Sequence, residues 1–355
     1  MTGAMQSIEW SVSLFKQIRF IIFRAALSLA VLSPSSAAWA EQLMQINRNL
    51  QEDASTGVEL IADNKFEAGF AATPACNSPE EKACAEDKRY ELKSPAFPNM
   101  AEVKPVWELR QWGSQSTFSN PAVKYGEGYA WTTADKRLVI YPGGRVEMAA
   151  NGESEFNSEY RNERPSKPSL IAGQSIAGPS PYSRDTGSVA DMKRLIFNVD
   201  FRKLYEDQNI QAGYDPKQNA MIFPINFTIQ NLNTESKGYG QYVWLQINPY
   251  DDRRETAVSK RDQEMTDIGT GMSIYFVPTA SLTDGNTHSG EWVTFNGDIL
   301  PFAKRSVEIA FRKGILKSKD LSDYKIGGVN IGYELSGLNI TTMEFKNLSL
   351  KMFKD

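Results

Sequence analysis

The sequence predicts an all-β protein: an antiparallel two-sheet β-sandwich of the jelly-roll type, with one short helix and an irregular N-terminal extension. Three observations predict it. Apolar residues alternate with polar ones in four separate segments, the period of a half-buried strand. A single segment has helical spacing. Turn signals such as Pro142-Gly143-Gly144, Asp284-Gly285-Asn286 and Asn296-Gly297-Asp298 separate the runs, as in sandwiches built of many short strands. The 355 residues include 25 Gly and 17 Pro and are 41% hydrophobic and 11% aromatic, enough apolar material for one large core.

In chain order, residues 1–40 read as a secretory signal peptide. Lys16, Arg19 and Arg24 flank the apolar stretch Phe20–Phe23 and Ala25–Leu32, and the segment ends at the small-residue site Ala38-Trp39-Ala40. Pro34, Ser35 and Ser36 break the helix before that site, which favours cleavage after Ala40; the alternative is a retained N-terminal anchor. No later segment has the length and hydropathy of a stable membrane span, so a periplasmic or secreted location is expected. Residues 41–103 form the extension. In an oxidising compartment Cys76 and Cys84 are expected to pair as a disulfide, with two free thiols as the alternative. Residues 104–355 are expected to form the sandwich.

Within that domain Leu195, Phe197, Val199 and Phe201 alternate with Ile196, Asn198, Asp200 and Arg202. Phe223, Ile225, Phe227 and Ile229 alternate with Pro224, Asn226, Thr228 and Gln230. The same period runs through Tyr242–Asn248 and Val329–Ser336. Further strands are expected at Pro105–Trp112, Gly128–Trp131, Arg137–Tyr141, Gly144–Ala149, Gly271–Val277, Gly290–Phe295 and Thr341–Met352, the last with a bulge near Lys346-Asn347, where its apolar parity shifts. The helical spacing of Val307, Ala310, Phe311 and Ile315 places the helix at Ser306–Leu316. Gly152–Ser188, rich in Ser, Pro and Gly, reads as a long loop, functional or mobile.

The polar partners of these alternations are the candidate site. They include Asn226, Gln230, Tyr242, Trp244, Gln246, Asn248 and Asn330, where a solvated sheet face would carry mostly Lys, Glu and Thr. Amides offer a donor and an acceptor at one position, and Trp and Tyr offer flat apolar surfaces. A pyranose, with hydroxyls around an apolar face, fits that mixture. Trp107–Gly113 adds Glu108, Arg110 and Trp112 on one side of a strand, an ion pair beside an aromatic platform. Tyr160–Arg164 offers arginines to an acidic sugar, or is a solvated loop. For hydrolysis, two carboxylates must face one another across the sugar; Asp200 and Glu334 are the candidates on the inferred face.

Other chemistries have less material. One histidine, His288, and two cysteines exclude the usual zinc sets, and His288 is expected to be an exposed loop residue. No cofactor is expected; Ca²⁺ at Asp251 and Asp252 is an alternative to an ion-paired turn with the arginines that follow. The balance of 39 Lys+Arg against 43 Asp+Glu supplies no basic field for nucleic acid.

Tyr242–Asn248, Gly328–Glu334 and Glu344–Leu350 resemble strands of the jelly-roll proteins of carbohydrate metabolism: carbohydrate-binding modules, lectin-like glycanases and polysaccharide lyases. The resemblance covers roughly residues 104–355 and is one of strand style. The E-x-D-x-x-E and Q-x-H arrangements of two such groups are absent, so no catalytic residue carries over. It implies a carbohydrate partner, an oligo- or polysaccharide. Two readings stay open: a glycan-binding protein without catalysis, and a glycoside hydrolase or lyase using carboxylates, or Tyr and Arg, on the same face. A structural envelope protein is the third.

Overall fold

A computed structural model describes residues 57–76, 88–160, 168–177, 186–253, 263–267 and 270–354 of the chain. Its strands, numbered in chain order, form two sheets. Across the first run β15 (Val293–Asp298), β10 (Arg194–Asp207), β17 (Ile340–Phe353), β8 (Val146–Asn151), β7 (Lys136–Ile140), β6 (Gly128–Thr132) and β5 (Val123–Tyr125), with β1 (Val58–Glu59) beside the end of β17. Across the second run β13 (Glu264–Thr266), β14 (Ser273–Phe276), β12 (Tyr242–Asp251), β11 (Met221–Asn231), β16 (Tyr324–Leu335), β9 (Ser169–Ser175), β4 (Trp107–Arg110), β2 (Phe70–Ala72) and β3 (Tyr90–Leu92).

The alternating apolar residues meet between the sheets. Phe197 of β10 packs edge-on to Phe227 of β11 at 5.6 Å, Phe201 lies 5.2 Å from Phe223, and Phe66 bridges to Phe345 at 5.7 Å. All six rings are buried, and burying each contributes about 1.5–3 kcal/mol. Because the inward set is fixed on each strand, the intervening residues must face outward. The sandwich therefore has two outer faces, one per sheet.

Bulges adjust those faces. The bulge expected near Lys346-Asn347 is present: the β10–β17 register shifts there, and Asn347 has φ 56°. A second lies where Pro224 of β11 passes the Asn248-Pro249 pair of β12, between the Phe223–Tyr250 and Ile225–Ile247 pairs. Proline has no N–H for a ladder, so the bulge relieves β12 of that bond.

Three expectations change. The helix α2 spans Leu300–Arg312, not Ser306–Leu316: Pro301 fits its first turn, and the left-handed Gly314 (φ 76°) follows its end. Gly152–Ser188, expected as a loop, holds the short helix α1 (Gly152–Phe156) and the strand β9, an inner member of the second sheet. Its Ala, Gly and Ser residues hid the strand. Within the stretch expected to be irregular, β1, β2 and β3 add short strands to both sheets; across the molecule two pairings are parallel, β2 with β4 and β12 with β14. Residues 1–56, carrying the signal-peptide expectation, lie outside the described residues, as does Cys84; Cys76 is buried beside Trp112. Among the described residues no helix is long and apolar enough to cross a membrane.

Candidate functional site

The outer face of the second sheet brings most of the candidate residues together. Cross-strand pairing sets Gln246 of β12 beside Asn226 of β11, Asn226 beside Asn330 of β16, Asn330 beside Gly173 of β9, and Gly173 beside Glu108 of β4. This row crosses five adjacent strands. One step along, Trp244 stands opposite Thr228, and the next step pairs Tyr242 with Gln230. Tyr242 and Trp244 meet edge to face at 5.2 Å. Gln246 Nε2 donates to Asn248 Oδ1 at 2.7 Å, which fixes both amides.

Arg110 anchors the other side. Its Nη1 donates to Asn330 Oδ1 at 3.1 Å, its Nη2 to Glu108 Oε2 at 3.2 Å, and its guanidinium lies 5.3 Å from the Trp112 ring. The expected grouping of Glu108, Arg110 and Trp112 is thus present. Gly173 makes it possible, since a Cβ there would stand 2.5 Å from Asn330 Oδ1 and 3.0 Å from Arg110 Nη1. Glu108 also accepts from Arg89 Nη1 at 2.8 Å. Arg89, from the extension, was not singled out in the sequence because β2 and β3 were not legible there.

Strand β11 carries the most telling feature. Asn226 Oδ1, Thr228 Oγ1 and Gln230 Oε1, on three successive outward positions of β11, are buried and have no hydrogen-bond partner among the described residues. A buried oxygen left without a partner costs about 1–3 kcal/mol. Three in a line form an unmet demand for donors. Gly327 of β16 lies alongside; a Cβ at that position would come within 2.4 Å of Thr228 Oγ1 and 2.8 Å of Gln230 Oε1.

Other candidates fall elsewhere. Asp200 lies on β10 in the first sheet, and its neighbours Val199 and Phe201 point into the core. Its Oδ1 accepts from Thr294 Oγ1 at 2.7 Å and its Oδ2 from Asn347 Nδ2 at 2.6 Å. Glu334 lies on β16, between the inward Tyr333 and Leu335. The two carboxylates therefore face away from each other on opposite layers, separated by more than the ~10 Å spacing of packed sheets. The expectation that they share a polar face fails because β10 pairs into the other sheet, which alternation alone does not reveal; Asn198 and Arg202 leave the face with it.

Asp251 is held at both oxygens by Arg253, at 2.7 Å each, the ion-paired turn that was the alternative to a calcium site. Asp252 Oδ2 accepts from the Met221 backbone at 3.0 Å and from Asn339 Nδ2 at 2.7 Å, and burial pushes its carboxyl up to about 7. Among the described residues no group of three metal-ligating side chains occurs. His288, expected to be exposed, instead stacks on Tyr250 at 5.0 Å, with Nδ1 3.8 Å from Glu206 Oε2. Tyr250 OH donates to Glu206 Oε1 at 2.6 Å. Residues 161–164 of the long segment lie outside the described residues.

These features define a two-sheet β-sandwich with one amide- and aromatic-lined outer face. No family description matches the sequence, and neither does any characterised protein. Solved structures do. The endoglucanase Cel12A from Rhodothermus marinus matches at 10% identity and TM-score 0.36, over 71% of this chain and 100% of that one. A family 12 xyloglucanase from Bacillus licheniformis matches at 13% and 0.36, over 70% and 100%. The xyloglucanase domain of NopAA, a type three effector from Sinorhizobium fredii in complex with cellobiose, matches at 10% and 0.33, over 71% and 94%. By their descriptions these are an endoglucanase and two xyloglucanases.

Proposed function

We propose that this protein is an exported glycan-binding β-sandwich, periplasmic or secreted, that holds an oligo- or polysaccharide on the outer face of its second sheet. The observation that carries the reading is the row of amides Gln246, Asn226 and Asn330 across β12, β11 and β16, flanked by Trp244. Sugar hydroxyls both donate to and accept from amides, and the apolar face of a pyranose lies against an indole. Arg110 fixes Asn330 from the far side and leaves the Asn330 amide nitrogen aimed by its neighbour.

Binding is favoured over hydrolysis by the placement of the carboxylates. Glu108 and Glu334 share this face, but two strand spacings and four residue rises separate them by about 16 Å, beyond the roughly 5–9.5 Å that glycoside hydrolysis uses. Glu108 is also bound by two arginines. The test is incubation of the exported protein with neutral and acidic polysaccharides, following retention by the polymer and release of reducing or unsaturated ends. Retention without products is expected, weakened about tenfold or more in Trp244→Ala, the loss of one stacking contact. Product release overturns the binding reading in favour of an enzyme, and absence of both signals favours a structural protein of the envelope.

A further inference from the structure

A concavity lies apart from the amide face, between helix α2, Tyr275 of β14 and the turn at Lys319–Leu321. Its volume is about 510 Å³, within the range of small-molecule sites. Four cations line it, Lys304, Arg305, Arg312 and Lys319, against one carboxylate, Glu308. The chain as a whole is acidic, at −4, so this is a local inversion of its charge. The helix spacing explains it. Lys304, Glu308 and Arg312 follow one another at four-residue intervals on the side of α2 opposite the buried Ala303, Val307 and Ala310.

The wall already engages a carboxylate. Arg305 Nη1 lies 2.8 Å from Glu308 Oε2, and Arg312 Nε lies 3.8 Å from Glu308 Oε1, so one acid is shared by two guanidinium groups. The remaining surface is apolar and mostly aromatic: Phe302, Phe311 and Tyr275 contribute rings beside Pro301 and Leu321, and Lys319 Nζ stands 5.9 Å from the centre of Phe311. Lys304 lines the cleft partly buried, and the charge of Asp298 acts on it. An ammonium short of water gains more from an incoming anion than an exposed one does.

We infer that this cleft binds a ring-bearing organic anion, a carboxylate or phosphate ester on an aromatic or alicyclic body, independently of any glycan on the second sheet. The cations select for negative charge and the rings for a flat apolar body. Neither feature alone accounts for the lining: a site for a free inorganic anion needs no aromatic walls, and a site for a neutral ring needs no positive excess.

Calorimetric titration of the intact protein with 2-naphthyl phosphate tests this, with 2-naphthalenemethanol and inorganic phosphate as the neutral and ring-free probes. The naphthyl phosphate is expected to bind at least about tenfold more tightly than either, with affinity falling as salt rises. Arg312→Glu with Lys319→Glu, both at exposed positions, is expected to weaken it about tenfold or more. Circular dichroism and polysaccharide retention unchanged from the parent protein would verify that the fold survives the reversal. Equal affinity for the neutral alcohol, equal affinity for inorganic phosphate, binding untouched by the charge reversal, or no binding of the naphthyl phosphate would each overturn the assignment.

Discussion

The two outer faces of the sandwich are built alike and finished differently. On the first sheet the buried carboxylates Glu344 and Glu147 have their partners. Glu344, buried, pairs with Arg145 and accepts from Arg202 Nε at 2.7 Å; Glu147 accepts from Arg137 Nε at 2.8 Å and Tyr141 OH at 2.9 Å. Trp292 is covered by Arg202 at 4.7 Å and Lys346 at 4.2 Å. On the second sheet, β11 holds buried oxygens that nothing among the described residues satisfies. A face that completes its own hydrogen bonds serves stability, whereas one that leaves buried acceptors open has given up some of it.

Breaking the first face tests that contrast most strongly. Glu344→Ala strands two guanidinium groups beside a buried position and is expected to lower unfolding free energy by about 3 kcal/mol, leaving polysaccharide retention unchanged. Denaturant unfolding measures the first and affinity electrophoresis the second. A loss of retention with unaltered stability would reverse the roles assigned to the two faces.

A second effect belongs to the polar cluster where the first sheet meets α1. Ser114 Oγ lies 2.7 Å from Asp135 Oδ2 and 2.5 Å from Glu155 Oε1, and Lys136 Nζ lies 2.9 Å from Asp135. Burial and the neighbouring Asp135 push Glu155 up to about 8, while hydrogen bonds and Lys136 hold Asp135 well below its ordinary value against its own burial. Glu155 thus keeps a proton in the folded state that the unfolded chain releases near 4.5, so it makes stability fall as pH rises from about 4.5 to 8. Glu155→Gln carries no such proton and is expected to flatten that fall, raising stability at pH 8 relative to pH 5 by about 1–3 kcal/mol. Thermal midpoints across the range read it directly. A parallel pH profile in the variant would mean that Glu155 is ionised in the fold.

Smaller in energy but opposite in sign is Thr228→Val on the second face. Replacing an unpartnered buried hydroxyl by a methyl of similar shape is expected to leave stability unchanged or raise it by up to about 1 kcal/mol. Destabilisation would mean that the hydroxyl has a partner in the free protein. Asp200→Asn, on the face assigned to stability and away from the amide row, is expected to change retention by less than about twofold. A larger loss would bring the first sheet into the site.

How far the site was legible depended on which neighbours are local. The inward and outward sets of β10, β11, β12 and β16 could be read because alternation is a property of each strand alone. The amides Asn226, Gln246 and Asn330 were visible for the same reason, as was the trio Glu108, Arg110 and Trp112. β9 was not, since Ala172, Gly173 and Ser175 carry little apolar signal, and with it went the reason Arg110 reaches Asn330 over Gly173. The Asp200 and Glu334 pairing failed at the next level. Both residues face outward, but period two does not say which sheet a strand joins.

The sequence by itself determined the strand periods, the inward faces that make the core, the bulge near Asn347 and the amide-rich character of the outward positions, because each follows from side-chain type and spacing along one strand. Tertiary structure alone decided which strands are neighbours. That choice put Gln246, Asn226 and Asn330 in one row, sent Asp200 to the opposite face and drew the cations of α2 around a cleft with Lys319. Pairing is set by burial summed over whole sheets and by the backbone ladders between them, and those energies belong to contacts between residues far apart in the chain.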